Sequence, residues 1–412
     1  MRHVTRHRDA DERPAIVMIT PALPFDSVPH AGGRYLLALQ VALSDAGLGQ
    51  VLLAPDTPSN RAAAGRPGCP AHVLVGPPSG DGVPVKAARR AMVVADARGR
   101  RLDPGLPNVA LAAGLGRARV RSLLAGAEVI DLQWSESIRL AGLARRLAPR
   151  ARLVGTFHDV QSQLFERETG RPGQHPAAWR ARAAWARRWE RRAVALLDDV
   201  VVFSDKDAAL LPPGRAAVHV VRPPLAPAVW PAHHQPAVPT VLLVSYLARE
   251  ENSDAARWLL GEIWPRVTRV RPDARLRLAG AGADADLGRL AAASGAEVLG
   301  YVDDLDAEYA GASACVVPLR GGAGVKFKTV EAILAGVPVV ATPTGAEGVA
   351  GADRLARLPE TAAEVADALL GVLADPGPAQ ERADRLQRWA MGEFGTDGLR
   401  RLVRDVYAAP MR

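Results

Sequence analysis

The chain has 412 residues, which predicts two domains rather than one core, and its 48% hydrophobic and 23% charged residues are typical of a globular protein. Its two cysteines are too few for a disulfide framework or a cysteine-based metal site, and they fit a reducing compartment. The net charge of +8 favours an anionic partner, but the chain has neither a zinc-finger spacing nor an aromatic RNA-binding motif, so we expect no nucleic-acid partner.

The beginning of the chain is polar and charged, and we predict a flexible tail over residues 1–14. Nothing before residue 15 resembles a signal peptide, and no apolar run reaches the length of a transmembrane helix. We therefore expect a cytoplasmic protein.

Residues 15–222 alternate between strand and helix patterns, which predicts an α/β domain with a parallel sheet. Gly32 and Gly33 follow the first apolar strand, so we expect a loop at its carboxyl end, where α/β folds bind ligands. The predicted elements are strands over residues 15–20, 50–54, 73–75, 127–133, 151–157 and 200–203, with a helix over residues 35–46.

The densest basic segment, residues 179–192, has two interpretations. At helical spacing, Trp185 and Trp189 lie on one face with Arg182 and Arg192, which is typical of a helix on a membrane surface. The alternative is a surface helix whose tryptophans pack on the domain while its arginines are solvated. Charges occur on several sides of this helix, so we favour the packed helix and keep peripheral membrane contact as the alternative.

Six prolines between residues 222 and 240 predict a linker over residues 223–239. Strand and helix patterns alternate again over residues 240–380, which predicts a second α/β domain with a doubly wound parallel sheet. Residues 381–412 have a mainly helical pattern. The predicted elements of this half are strands over residues 240–245, 274–279, 297–299, 314–318 and 337–341, with helices over residues 253–270 and 284–294.

Residues 321–328, Gly-Gly-Ala-Gly-Val-Lys-Phe-Lys, are the most informative part of the chain and are called the Gly-Lys segment below. Glycines lack a Cβ atom and let backbone N–H groups approach an anion closely. A helix predicted over residues 326–334 directs its positive N-terminal end to that anion, and Lys326 and Lys328 add charge. Glu331 can accept hydrogen bonds from sugar hydroxyls. These features together predict a pocket for a phosphorylated sugar or a nucleotide.

The run from Glu331 to Val340, Glu-Ala-Ile-Leu-Ala-Gly-Val-Pro-Val-Val, closely resembles the donor-binding signature of retaining glycosyltransferases of family 4, which share the GT-B fold. Glu331 matches the second of two glutamates in that signature, and Ala323 stands where the first is usual. A branch of the family with a Gly-x-Gly-x-Lys-x-Lys loop is more similar, through Gly322, Gly324, Lys326 and Lys328.

Other segments support the same resemblance. The turn of Gly280 and Gly282 resembles the family's glycine turn, and the loop with Tyr301 and Val302 resembles its base-binding loop. In the first half, His158 lies in a segment similar to the family's strand-end histidine motif, near the reacting sugar. The remaining matches are Gly32 and Gly33 at the donor phosphates, and Arg249 where a basic pair is usual.

The resemblance implies a GT-B fold of two Rossmann-like domains facing across a cleft, with residues 381–412 returning to the first domain. It also implies metal-independent transfer of a sugar from a nucleoside diphosphate donor, with retention of configuration and no cofactor. Glu331 is then expected to bind ribose, and His158 to orient the donor sugar. The backbone amides from Gly322 through Ala323, Gly324 and Val325 to Lys326, with the side chains of Lys326 and Lys328, are expected to hold the diphosphate. The acceptor stays open among a polysaccharide, a lipid-linked sugar and a small metabolite.

Three alternatives remain from the sequence. Asp303 and Asp304 follow the Gly280 turn near the spacing of the ribose-binding acid in NAD-dependent dehydrogenases, although Ala285 occupies the third glycine position. Ala323 in place of glutamate is compatible with a non-catalytic protein that binds a sugar nucleotide. A GT-B epimerase acts on a sugar nucleotide without transferring the sugar.

Overall fold

A computed structural model describes residues 15–26, 28, 31–77, 82–103, 105–170, 175–226, 233, 235–355 and 358–409. The predicted tail, residues 1–14, lies outside these residues. Of the predicted linker, residues 223–239, the structure describes residues 223–226, 233 and 235–239.

The first sheet is built from seven short strands, all paired in parallel. Its order is β3-β2-β1-β4-β5-β6-β7. The strands are β1 (Ile16–Ile19), β2 (Gln50–Pro55), β3 (His72–Val75), β4 (Val129–Gln133), β5 (Arg152–Phe157), β6 (Asp199–Val202) and β7 (Ala217–Val220). The central strand β1 is completely buried because helices cover both faces of a parallel sheet.

The second sheet has five parallel strands in the order β10-β9-β8-β11-β12. They are β8 (Thr240–Val244), β9 (Arg275–Ala279), β10 (Glu297–Gly300), β11 (Ala314–Val317) and β12 (Val339–Ala341). In both sheets the order reverses direction beside the first strand, which is where open α/β sheets form a crevice for ligands. The regions of the two sheets are called the first and the second domain below.

Eighteen α-helices connect and cover the strands within the described residues. They are α1 (Ala31–Asp45), α2 (Pro58–Ala64), α3 (Val83–Leu102), α4 (Val109–Gly114), α5 (Ala118–Gly126), α6 (Trp134–Ile138), α7 (Ala141–Leu147), α8 (Gln161–Glu168), α9 (Pro176–Val194), α10 (Asp205–Leu210), α11 (Glu250–Trp258), α12 (Trp264–Val270), α13 (Ala285–Ala293), α14 (Leu305–Ala310), α15 (Phe327–Leu334), α16 (Ala362–Ala374), α17 (Pro376–Glu393) and α18 (Asp397–Leu402). Two π-helical turns, Leu259–Ile263 and Val403–Tyr407, and a short 3₁₀ turn, Ala352–Arg354, complete the list.

The C-terminal helices pack against the first domain. Leu386, Phe394 and Tyr407 belong to the same buried apolar cluster as Ile16 and Met18 of β1. The end of the chain therefore covers one face of the first sheet, although it follows the second sheet in sequence.

Several predicted boundaries were wrong in an informative way. Helix α1 begins at Ala31 rather than at residue 35, so Gly32 and Gly33 lie in its first turn and not in a loop. Strand β7 was not predicted, because its residues are largely exposed and lack the apolar run of a buried strand. The predicted end of α15 is confirmed: Gly336 has a φ of +73°, and the Val337 N–H donates to the Ala332 carbonyl.

Candidate functional site

The Gly-Lys segment joins β11 to α15 at the carboxyl edge of the second sheet and faces the first domain. Gly322 and Gly324 have φ values of +104° and +70°, which side chains other than hydrogen rarely allow. A Cβ atom on Gly324 would lie 2.9 Å from the carbonyl oxygen of His158. The glycines therefore let the backbone of the second domain approach the first domain closely.

Lys326 is buried immediately before α15, and its side chain holds the backbone of the Gly-Lys segment in place. Its Nζ atom donates to the carbonyl oxygens of Ala323, at 2.9 Å, and Gly324, at 3.0 Å. The nearest carboxylate is that of Glu347, at 3.9 Å. Burial lowers the pKa of Lys326 to about 8, despite the attraction of Glu347.

Lys328 lies one position into α15 and is held by two residues of the second domain. Its Nζ atom donates to Ser245 Oγ, just after β8, at 2.5 Å and to Asn252 Oδ1 in α11 at 2.7 Å. Burial lowers the pKa of this amine to about 7, although Glu251 opposes the shift. Neither lysine of the segment points to bulk solvent.

Glu331, in the same helix, forms an ion pair with Arg34 of α1. Its side chain is 12% exposed, and the pair connects the two domains. Sequence analysis identified Glu331 but missed Arg34. The available signal was its position directly after Gly32 and Gly33, at the carboxyl end of β1.

The glycine turn after β9 packs against the segment that follows β8 and connects Ser245 to Asn252, the two partners of Lys328. Gly280 and Gly282 have φ values of +138° and +91°, and a Cβ atom on Gly282 would lie 2.6 Å from the backbone nitrogen of Ala248. Arg249, which follows, is 67% exposed with its guanidinium 3.8 Å from Glu251. This arginine is available at the rim of the site.

Tyr301 and Val302 lie in the loop between β10 and α14. Tyr301 is 57% exposed, whereas Val302 packs against the apolar cluster that contains Tyr309 and Leu319. Among the described residues we find no hydrogen bond or ion pair between this loop and the Gly-Lys segment. The structure therefore does not join these two predicted residues to the lysines by polar contacts.

His158 follows β5 and is immobilised by aromatic rings. It stacks on Trp134, with centroids 3.7 Å apart and an angle of 11° between the rings, and makes edge contacts with Phe203 and Tyr35. A Cβ atom on Gly32 would lie 2.9 Å from His158 Nδ1, so a glycine is needed there. The histidine and the first turn of α1 form one tightly packed unit.

Trp134 has a φ of +63° and is the one non-glycine residue with a left-handed backbone in the described part of the chain. For a bulky residue this conformation costs about 1–2 kcal/mol. The strain places its indole ring on His158, at the carboxyl end of β4. Strain of this kind accumulates at functional sites, which supports a role for the histidine.

A polar network missed by sequence analysis connects the domains beside the Gly-Lys segment. Arg167 of α8 donates to the Gly322 carbonyl and to both carboxylate oxygens of Glu347, with Nη1 2.6 Å from Oε2. Gln163 donates to Glu347 at 3.1 Å and accepts from Lys206 at 2.8 Å. Burial disfavours the charge of Glu347, but Arg167 and the nearby lysines outweigh it and hold the pKa of this carboxyl below its usual value.

Three further predictions concern metals and membranes. Within the described residues there is no cluster of His, Cys, Asp and Glu that could hold a metal ion. In the same part of the chain, every helix is too short or too polar to cross a membrane.

In α9, Trp189 packs against Phe157 and is 8% exposed, whereas Trp185 is 53% exposed. Trp189 thus agrees with the packed interpretation of this helix, whereas Trp185 lies at the surface.

Comparison with known proteins finds a family match in the second domain and similar solved structures for the overall fold. Residues 238–375 match a family model described as "Glycosyl transferases group 1". No curated protein matches the chain significantly by sequence. Among solved structures, HepE from Anabaena in complex with UDP and glucose superposes with a TM-score of 0.64 at 13% identity, over 96% of this chain and 100% of HepE.

Two other solved structures are similar over nearly their whole length. WaaG, a glycosyltransferase involved in lipopolysaccharide biosynthesis, has a TM-score of 0.59 at 14% identity and covers 96% of this chain and 100% of its own. A glycosyltransferase from Rickettsia africae ESF-5 has a TM-score of 0.59 at 11% identity and covers 95% and 97%. These similarities confirm the predicted GT-B fold with two Rossmann-like domains.

Proposed function

We propose that the protein is a retaining glycosyltransferase of the family 4 type, which transfers a sugar from a nucleoside diphosphate donor to an acceptor hydroxyl without a metal. The observation that carries the proposal is the Gly-Lys segment: Gly324 lies against His158 of the first domain, Lys326 is buried and Lys328 is partly buried. The group 1 match over residues 238–375 supports it, as do the related structures of HepE with UDP and with UDP-glucose.

The chemistry follows from where charge develops. Breaking the bond between the sugar and the diphosphate places positive charge on the anomeric carbon and negative charge on the leaving diphosphate. Lys328, Lys326 and the backbone amides of the Gly-Lys segment stabilise that negative charge, so they take the part of a divalent cation. One well-placed donor of this kind contributes about 3 kcal/mol, roughly a hundredfold in rate.

Glu331 is proposed to bind the ribose hydroxyls. Because Arg34 already pairs with this carboxylate, the ribose must share its oxygens with the guanidinium or displace it. Arg34 therefore belongs to the proposed donor site. Its position in α1 also links nucleotide binding to the relative placement of the two domains.

The remaining predicted residues have proposed roles around this centre. His158 orients the donor sugar, and the leaving phosphate assists deprotonation of the acceptor hydroxyl on the same face. Arg249 contacts the phosphates from the rim. Tyr301 and Val302 flank the base. Gly32, Gly33, Gly280 and Gly282 line the donor site, where the absence of a Cβ atom lets the backbone pack closely.

The proposal is tested with a panel of nucleotide sugars, using thermal shift to find the donor and then product formation with candidate acceptors. Lys328→Met should reduce the donor-induced shift while the ligand-free melting temperature stays close to that of the parent. Lys86→Met, the same change in α3 of the first domain, is the matched control. A donor shift in Lys328→Met that equals that of the parent contradicts the proposed phosphate contact.

The same assays separate the alternatives. Hydride transfer from a supplied alcohol or hydroxy-acid substrate to NAD, catalysed by the purified protein, identifies a dehydrogenase. Donor binding without consumption under any acceptor identifies a binding protein, and conversion of the donor into its epimer without an acceptor identifies an epimerase. Each of these results excludes the transferase.

A further inference from the structure

Behind His158 lies a buried set of polar residues that converge from distant parts of the chain. Asp131 and Gln133 are two positions apart in β4, so their side chains lie on the same face of the sheet. Thr156 is the register partner of Gln133 in β5, and His158 follows two positions later. Tyr407 reaches the same place from the C-terminal π-helical turn. Apart from the half-buried His158, each of these side chains is at most 3% exposed.

Hydrogen bonds connect these residues into one chain. Tyr407 donates its hydroxyl hydrogen to Asp131 Oδ2 at 2.7 Å. Gln133 Nε2 donates to the same oxygen at 2.7 Å and to Thr156 Oγ1 at 3.1 Å, while Thr156 donates to Asp131 Oδ1 at 3.4 Å. His158 Nε2 lies 3.0 Å from Gln133 Oε1.

The donor and acceptor inventory fixes the orientation of the Gln133 amide. An ionised carboxylate accepts only, and the Thr156 hydroxyl hydrogen is already directed to Asp131, so both acceptors require the NH₂ group of Gln133 on their side. The carbonyl oxygen of Gln133 must then face His158. Since that oxygen can only accept, His158 Nε2 must carry a proton.

We propose that Tyr407, Asp131 and Gln133 are positioning residues that hold His158 in a single tautomer, protonated on Nε2, with Nδ1 as the acceptor atom facing the first turn of α1. The inference rests on the proposed function, since it assigns His158 the task of orienting the donor sugar. It also gives the C-terminal segment a direct part in the site, because the Tyr407 hydroxyl donates one of the hydrogen bonds that Asp131 accepts.

The energetics support a purpose other than stability. Burial raises the pKa of Asp131 to about 6, although the hydrogen bonds from Tyr407, Gln133 and Thr156 act in the opposite direction. A buried carboxylate with this environment costs free energy that an apolar side chain would avoid. The Asp131 carboxylate instead fixes the orientation of the Gln133 amide, and this is its contribution to the site.

The decisive measurement needs no enzymatic activity. Nitrogen NMR of the full chain, labelled in histidine and recorded at about pH 8, distinguishes the two neutral tautomers, which an unconstrained imidazole populates together. The His158 signals are assigned by comparison with His158→Asn. We expect one tautomer, protonated on Nε2. A mixture, or a proton on Nδ1, overturns the proposal even if the protein transfers sugar.

Variants then connect the geometry to turnover. Gln133→Leu should give a tautomer mixture and lower kcat about 10-fold with the donor KM within about 2-fold of the parent, since only the placement of His158 changes. If Gln133→Leu does not fold, Tyr407→Phe is the second variant. It should shift the His158 signals and, like Gln133→Leu, lower kcat.

The control for Tyr407→Phe is Tyr309→Phe, which removes another buried hydroxyl, in the second domain. A loss of stability without a change in kcat or in the His158 signals would mean that Tyr407 is merely structural. Equal kcat values for Tyr407→Phe and Tyr309→Phe overturn the positioning role. Absence of any transferase activity with a single Nε2-protonated tautomer would refute the proposed function but not the hydrogen-bond chain.

Discussion

Binding of a diphosphate next to Lys328 and Lys326 should take up protons. Desolvation lowers the pKa values of these two amines to about 7 and about 8. A bound diphosphate supplies the negative charge that favours both ammonium forms, so the two amines become protonated in the complex. Proton uptake is therefore a direct signature of phosphate contact.

The magnitude follows from these two pKa values. At pH 8, about 0.9 of the Lys328 amines and about 0.5 of the Lys326 amines are neutral, which gives an uptake of about 1.4 protons on binding. At pH 7 the same sum is about 0.6, and at pH 6 it is about 0.1. The apparent affinity should therefore fall about 10-fold between pH 7 and pH 8, equivalent to about 1.4 kcal/mol.

Isothermal titration calorimetry in buffers of different ionisation enthalpy measures the proton number. The ligand is the nucleotide sugar with the largest thermal shift, because its diphosphate diester does not titrate in this range. Lys328→Met should remove about 0.9 proton at pH 8, whereas Lys86→Met should leave the number unchanged. A binding enthalpy that does not depend on the buffer at pH 8 refutes the placement of the diphosphate beside these lysines.

Other perturbations test the contacts around the site. Arg167→Met removes charged hydrogen bonds between the domains and should lower the free energy of unfolding by about 2 kcal/mol in urea titrations. The control Arg187→Met, at an exposed ion pair, should change it by less than about 0.5 kcal/mol. Equal losses in the two variants would contradict an interdomain role for Arg167. Gly324→Ala should destabilise the protein by more than about 1 kcal/mol because of its positive φ and close approach, whereas Gly371→Ala, in an open helical position, should be neutral or stabilising. The pKa of Asp131 is raised from 3.8 to about 6, so its burial costs little below pH 3.8, and the cost grows as the pH rises from 3.8 to 6 and then levels off. The stability of Asp131→Asn relative to the parent should therefore increase by about 2 kcal/mol between pH 4 and pH 7, and a difference independent of pH would show that the carboxyl titrates normally.

Much of the fold could be predicted because its signals are local. A parallel sheet with both faces covered requires continuous apolar strands, and nearly every strand with such a run was located to within one or two residues. The Gly-Lys segment was also visible, because positive φ values demand glycine and a helix start favours anions. Strand β7 has valines that favour a strand, but His219 interrupts them and the strand is exposed, so it lacks the continuous apolar run of a buried strand.

The contacts between domains could not be predicted in the same way. Arg167 and Glu347 are separated by 180 residues, and each is an ordinary charged residue in its own segment. Tyr407 and Asp131 are separated by 276 residues. Only the packing of the C-terminal helices on the first sheet brings the latter pair together. Sequence periodicity describes each element but carries no information about which distant side chains meet.

The alanine at position 323 has a physical consequence in this site. Where related signatures have a glutamate side chain, the structure uses the backbone carbonyl of Ala323, which accepts a hydrogen bond from Lys326. The carboxylate near this lysine comes instead from Glu347, in the turn after β12, and Arg167 of the other domain fixes it there. Glu347 thus differs from a glutamate at position 323, because the carboxylate near Lys326 is also the one that pairs with Arg167 and connects the second domain to the first.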